Sequence, residues 1–189
     1  MVTESYDYHE VDKTMMYYST PLVKESDFPF NFYLLDLPQN TSGLWVQHLV
    51  HLWMANMPKG QWANWVVGNH DKPRIASSSG HTYIRVINML LLTLPGTPTT
   101  YYGEEIGMEN INVTDSQIQD PRSPMQWSDD MNAGFNNKTN ITWLPVHPDY
   151  RTVNVEVENS FSMLSSWCLT LVINLPSQTS PLFLSCQMS

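Results

Sequence analysis

Asn69-His70-Asp71 stands directly behind a short apolar run, Asn64–Gly68, and Pro73 stops that run from continuing as regular structure. A carboxylate beside an imidazole at a strand end can stabilise developing positive charge or hydrogen-bond a polyol. The same tripeptide also suits a polar turn with a capping Asp, so the flanking elements carry the argument. From Thr82 onward, Ile84, Ile87, Leu90, Leu91 and Leu94 recur at helical spacing, and Pro95-Gly96 ends that helix. Thr97–Tyr102 is β-branched and aromatic, as a buried strand is, and Gly103-Glu104-Glu105 closes it. Strand, turn, helix and strand in this order make a βαβ crossover, so the two strands are expected to be parallel. In such folds chemistry collects at the C-terminal strand ends, which is where Asn69-His70-Asp71 falls.

The upstream half predicts more units of the same kind. His9–Tyr18 can form a short helix with Val11, Met15 and Tyr18 on one face, and Pro21 to Asp27 reads as a loop. Phe28–Leu35 is aromatic and alternating, predicting a strand over Phe30–Leu35 with Pro29 at its start, where a missing N–H is tolerated. A turn at residues 38–43 leads into a helix over Leu44–Met57, with Leu44, Val46, Leu49, Val50, Trp53 and Met57 as its apolar face. His48 and His51 lie on that helix without a third ligand nearby, so they read as surface residues and not as a metal site. Beyond Met108 the chain is polar for some thirty-five residues, and a loop of that length is functional or mobile. Trp127 and Phe135 are the residues expected to fold it over the strand ends. Asp129-Asp130 lacks the spacing and terminal Glu of a calcium loop.

The chain has 189 residues, enough for one domain but too few for a complete (β/α)₈ barrel of about 250. Its formal net charge of −9 leaves no basic patch to neutralise phosphates, which argues against nucleic acid as a partner and against anionic membrane surfaces. Sequons at Asn40, Asn112, Asn137 and Asn140 point to a secretory or extracellular setting with these asparagines as glycosylation candidates. Both cysteines, Cys168 and Cys186, fall near the end, so the body of the fold needs no disulfide. Met1-Val-Thr-Glu does not begin a signal peptide, and a targeting segment is expected upstream.

Taken in order, NHDKPR, PGTPTTYYGEEIGM, SPMQWSDDMNAGF (Ser123–Phe135) and TWLPVHPDYRTVNV (Thr142–Val155) resemble the α-glucosidase branch of the α-amylase superfamily. They are equally similar to the glucosidase-like ectodomains of amino-acid transporter heavy chains. The resemblance covers roughly residues 1–158. It implies an α/β fold, the C-terminal half of a (β/α)₈ barrel, with parallel, adjacent strands near Val2–Thr3, Phe30–Leu35, Asn64–Gly68 and Thr97–Tyr101. Retaining cleavage of an α-glycosidic bond requires a carboxylate nucleophile and a second carboxylic acid about 5 Å away. By resemblance, Glu4 at the end of the fifth barrel strand takes the acid/base position, Asp71 is the transition-state stabiliser and His70 its sugar-binding neighbour. Arg74 is close enough in sequence to shape the same mouth, and no defined role is carried over to it. Glu4 and Asp71 are then expected to face one sugar-sized ligand. The nucleophile belongs to the strand before Met1, so residues 1–189 alone are not expected to hydrolyse a glycoside. No cofactor or metal is implied.

Two functions follow from the resemblance. One is the ectodomain of a heteromeric transporter heavy chain for cystine, basic and neutral amino acids. Its partner would be a light chain, and it would lie on the extracellular side of the plasma membrane, anchored by an upstream span. The phrases TMMYYSTPLVKESDFPFNFYLLD and WMANMPKGQWANWVVG favour this reading. The other is a secreted α-glucosidase acting on α-glucosides, favoured by the intact NHD. Residues 159–189 contain no charged side chain, and their apolar part, Phe161 to Leu175, is shorter than the roughly 20 residues that span a bilayer. They read as a tail outside the family pattern and a candidate gene-model artefact, expected to be poorly ordered. Just before it, Val153, Val155 and Val157 alternate.

Overall fold

The computed structural model describes residues 1–5, 9–20, 22–23, 25–38, 40–112, 119–139 and 141–160. Its chain begins with strand β1 (Val2–Thr3), followed by a short helix α1 (Val11–Met15) and strand β2 (Phe28–Pro29). β1 and β2 run parallel, with Val2 opposite Phe28 and Thr3 opposite Pro29. The Phe30 N–H donates to Thr3 O at 2.8 Å, so the pairing reaches one residue further. The expected strand over Phe30–Leu35 is not formed. Asn31 is fully buried, and its side-chain oxygen accepts from the Tyr33 N–H at 3.1 Å, turning Phe32–Leu34 into a 3₁₀ turn. A side chain that offers the backbone a local acceptor competes with the ladder, and here it wins.

Helix α2 (Gly43–Asn56) starts where the Ser42 hydroxyl accepts from the Trp45 N–H at 3.2 Å. It ends at Met57, whose backbone is extended ahead of Pro58. Leu49 and Trp53 are its buried residues, while Val46, Val50 and Met57 pack partly against the core. Leu44, expected on the apolar face, is instead exposed, because it lies in the first turn beyond the reach of the sheet. Trp53 meets Tyr33 edge-on with centroids 5.7 Å apart. A buried indole covers roughly 200 Å², worth about 5 kcal/mol gross at 25 cal/mol per Å² before entropy is counted.

Strand β3 (Asn64–Val66) follows, and both of its faces are covered, as parallel strands require. Trp65 and Val67 face the helices, whereas Val66 packs against Phe32 and Leu35 on the other side. Helix α3 (Ile75–Ser79) comes next and was not legible in the sequence, since its Ala-Ser-Ser-Ser run is a poor helix signal. Gly80, at φ +83°, separates it from helix α4 (His81–Thr93). Ile84, Ile87 and Leu91 are the buried stripe of α4, matching the spacing read from the sequence. Strand β4 (Thr97–Thr99) then pairs parallel with β3, Trp65 lying opposite Pro98.

The strands therefore form two parallel pairs and not one continuous ladder of four. A side chain joins the pairs. Asn64, fully buried, accepts from the Asn31 N–H at 3.3 Å and donates to Thr97 O at 3.0 Å and to the Thr99 hydroxyl at 2.8 Å. Further along, Lys72 Nζ reaches Asp36 Oδ2 at 3.0 Å. Contacts 31 to 64 and 36 to 72 advance together, so β2 and β3 run in the same direction. All four strands thus present their C-terminal ends on one side, without antiparallel pairing among them.

After Met108, strand β5 (Ile111–Asn112) pairs antiparallel with strand β6 (Gln119–Asp120). This loop does fold over the strand ends, where Arg122 meets Asp71 at 3.1 Å, but Trp127 and Phe135, 45% and 40% exposed, are not what holds it there. The anchors are the fully buried Gln126 and Ser123, with Met125 packed on Ile106 and Met108. Gln126 Nε2 donates to Val153 O at 2.5 Å and to Asp149 Oδ1 at 3.2 Å. The alternating valines are helical from Val155, in helix α5 (Val155–Ser160), because Asn154 Oδ1 accepts from the Val157 N–H at 2.8 Å. Residues 161–189, and with them the expectation about the tail, lie outside the described residues. Among the described residues no helix is long and apolar enough to cross a membrane.

Candidate functional site

The turn after β3 is built by Asn69. Its side-chain oxygen accepts from the Asp71 and Lys72 N–H groups, both at 3.0 Å, which closes an Asx turn. That leaves His70 and Asp71 free to project, with side chains 44% and 53% exposed. His70 Nε2 stands 3.4 Å from Asp71 Oδ1. Glu4 follows β1 directly, is exposed, and lies at the same C-terminal end of the strands. Among the described residues no hydrogen bond or ion pair links Glu4 to Asp71. The structure therefore brings His70 and Asp71 together and leaves Glu4 separate on the shared rim.

Sequence reasoning missed Arg122, the group that meets Asp71 most directly. Arg122 Nη2 lies 3.1 Å from Asp71 Oδ1, and Nη1 lies 3.6 Å from Asp120 Oδ2. The Arg122 N–H donates to Asp120 Oδ1 at 2.7 Å, and its carbonyl accepts from Trp143 Nε1 at 2.9 Å. Trp143 packs edge-on against Phe135, centroids 5.1 Å apart, so an exposed aromatic pair backs the arginine. The arrangement is a carboxylate with a cation on one side and an imidazole on the other, open to solvent. It can hydrogen-bond a polyol, provided the guanidinium shares or yields the carboxylate.

Because Arg122 and Asp71 are about half exposed, their pair is worth no more than about 1 kcal/mol. Arg122→Ala is therefore expected to shift the urea midpoint only slightly, and near-UV circular dichroism should keep the Trp signals. A loss of several kcal/mol would mean that the 119–139 loop hangs on this pair and not on Gln126.

Arg74, expected to shape the mouth, lies behind it instead. It is 1% exposed. Its Nη1 donates to Tyr102 O at 2.6 Å, and the guanidinium carbon sits 4.9 and 4.6 Å from the Tyr101 and Tyr102 ring centroids. Glu104, a second residue that no local pattern marks out, is 3% exposed. Its carboxyl is raised to about 8, because burial outweighs the lowering by the Tyr101 backbone and the Arg74 guanidinium. Those two groups lie beyond hydrogen-bonding geometry, and neither carboxyl oxygen has a hydrogen-bond partner.

Of the glycosylation candidates, Asn40, Asn112 and Asn137 are exposed, and Asn140 lies outside the described residues. His48 stacks on Trp45 at 5.2 Å, an ordinary surface contact. Among the described residues no group of three His, Cys, Asp or Glu side chains converges as a metal site.

Comparison with known proteins follows the same lines. The chain is 49% identical over 166 residues to the amino acid transporter heavy chain SLC3A1 of Homo sapiens, covering 85% of this chain and 24% of that protein. It is 41% identical over 176 residues to Maltase 1 of Drosophila virilis, covering 82% of this chain and 27% of that one. It thus spans about a quarter of the length of these curated relatives. Among solved structures, an alpha-glucosyl transfer enzyme, XgtA, superposes with a TM-score of 0.70 at 26% identity, covering 84% of this chain and 32% of that one. A trehalulose synthase mutant in complex with Tris gives 0.74 at 22% identity, covering 91% and 39%. Residues 1–168 match the family described as alpha amylase, catalytic domain, so this α/β chain, with its Asp71 turn at the strand ends, belongs to the α-amylase family.

Proposed function

We propose that this chain is part of the glucosidase-like ectodomain of a heteromeric amino-acid transporter heavy chain. The observation that carries the reading is the 49% identity to a heavy chain, against 41% to a maltase over a similar stretch. On this reading the four co-directional strands are the C-terminal half of a (β/α)₈ barrel, and the supporting feature is the shared orientation of their ends. The barrel serves as an interaction and trafficking module for a light chain, on the extracellular side of the plasma membrane. On this reading a membrane anchor is required, and among the described residues no helix is long and apolar enough to supply it. The exposed Asn40, Asn112 and Asn137 are then glycan acceptors on that side.

A second reading, an α-glucosidase, is favoured by one specific observation: His70 and Asp71 are both present, adjacent and open to solvent. In it Asp71 stabilises the oxocarbenium-like transition state, His70 binds the sugar, and Glu4 is the acid/base. One pair of measurements separates the two. The full-length protein is expressed in cells with and without a transporter light chain, and uptake of labelled cystine is followed. Its ectodomain is assayed on a chromogenic α-glucoside. Partner-dependent uptake with hydrolysis at background is the expected result. Turnover abolished by Asp71→Asn, with no partner-dependent uptake, would establish the enzyme instead.

A further inference from the structure

The turn that carries His70 and Asp71 is a short bridge with both abutments on the segment after β4. Its first abutment is Gly68. A Cβ there would collide with the Glu104 carboxylate, and the next nearest side chain is Tyr101, at 3.8 Å. The Glu104 carbonyl in turn accepts from Asn88 Nδ2 of α4 at 3.2 Å. Its second abutment is Arg74. The Arg74 N–H donates to Asn110 Oδ1 at 2.9 Å, and the Asn110 N–H donates to Ser77 Oγ at 2.8 Å. The guanidinium lies over Tyr101 and Tyr102, and a Cβ on Gly103 would collide with Met108 and stand 3.0 Å from Arg74 Nη1.

We propose that Glu104 and Arg74 are positioning residues for the His70–Asp71 turn: the Glu104 side chain, packed beneath Gly68, sets the height of the first abutment, and the Arg74 guanidinium, seated on Tyr101 and Tyr102, sets the second. Two chemical features point this way. Glu104 is a buried carboxyl with no hydrogen-bond partner, an expensive group to keep where a methionine or leucine would pack. Arg74 likewise buries a guanidinium whose Nε and Nη2 are unpartnered. Glu104 packs behind Gly68 and Arg74 behind Gly103, and each couples to the other electrostatically. Their effect on His70 and Asp71 passes through the backbone of residues 68–74. The inference concerns the geometry of the turn and holds under either reading of the function.

Hydrogen exchange on the full chain tests it. Gly68→Ala is expected to speed exchange of the amides of residues 69–72 by about tenfold or more, with α4 amides unchanged. In a Glu104→Ala background, where the collision is gone, the same substitution should add less than about twofold. Glu104→Ala alone should loosen residues 69–72, whereas Glu104→Gln, with the same shape, should leave them within about twofold. That single-variant comparison keeps the test informative if Gly68→Ala does not fold. Equal effects of Gly68→Ala with and without Glu104, or loosening of α4 to the same degree as the turn, would overturn the proposal.

Discussion

Asn64→Ala is expected to destabilise the chain by roughly 2–4 kcal/mol, more than any change at the exposed His70–Asp71 turn. The residue is the buried polar link between the two strand pairs: it accepts from the Asn31 N–H and donates to Thr97 O and the Thr99 hydroxyl. It is fully buried, so water cannot replace what the amide supplied. Each buried group left unpaired costs about 1–3 kcal/mol, partly recovered as the neighbours relax. Asn64→Asp is a sharper probe of the same point. A carboxylate can still accept from Asn31 but has no hydrogen to give to Thr97 O, and an ionised group here would be buried without a cation. Urea unfolding should therefore place Asn64→Asp at or below Asn64→Ala in stability. Midpoints indistinguishable from wild type in both variants would show that β2 and β3 are held by apolar packing alone. The substitution also reaches the candidate site, because the Lys72–Asp36 contact spans the same junction.

The parts of this molecule that were legible are those whose physics is periodic and local. Ile84, Ile87 and Leu91 line one face of α4 because a helix repeats every 3.6 residues, and Leu49 and Trp53 do the same for α2. The parallel pairing of β3 with β4 followed from the connection between them. Phe30–Leu35 was misread because alternation describes side chains, whereas the outcome was decided by one amide oxygen, that of Asn31, closing a 3₁₀ turn. The meeting of His70 and Asp71 in an exposed turn after β3 was legible, because the two are sequence neighbours behind a short apolar run. Arg122 lies 51 residues from its partner, and no local pattern marks such a pair. Glu104 was read as the end of a strand, since a charged residue after Gly103 is the ordinary signature of a turn. Only packing shows that its carboxyl goes inward, against Gly68.

That inward carboxyl gives the second large expected effect. Wild-type stability should fall as pH rises from about 5 to 8, and Glu104→Gln should flatten this fall and be the more stable protein at pH 8. In the unfolded chain Glu104 titrates near the ordinary 4.5, but burial raises it to about 8 in the fold. Between these values the folded state holds a proton that the unfolded state has lost, so the unfolded side gains relative stability as pH rises. The slope approaches about 1.4 kcal/mol per pH unit for one proton and vanishes above the folded value and below the unfolded one. Arg74 and Glu105 are the charged groups acting on this carboxyl, and they act in opposite directions: the guanidinium favours ionisation, the neighbouring carboxylate opposes it, and desolvation outweighs both. Every other titrating group is common to the two proteins, so the difference between their stability curves isolates Glu104. Urea midpoints at pH 5, 6.5 and 8 measure it. Parallel curves would mean that Glu104 is already ionised at neutral pH, held by Arg74 as a buried ion pair. In that case Glu104→Gln should instead be the less stable protein throughout this range, because it would leave the guanidinium unpaired.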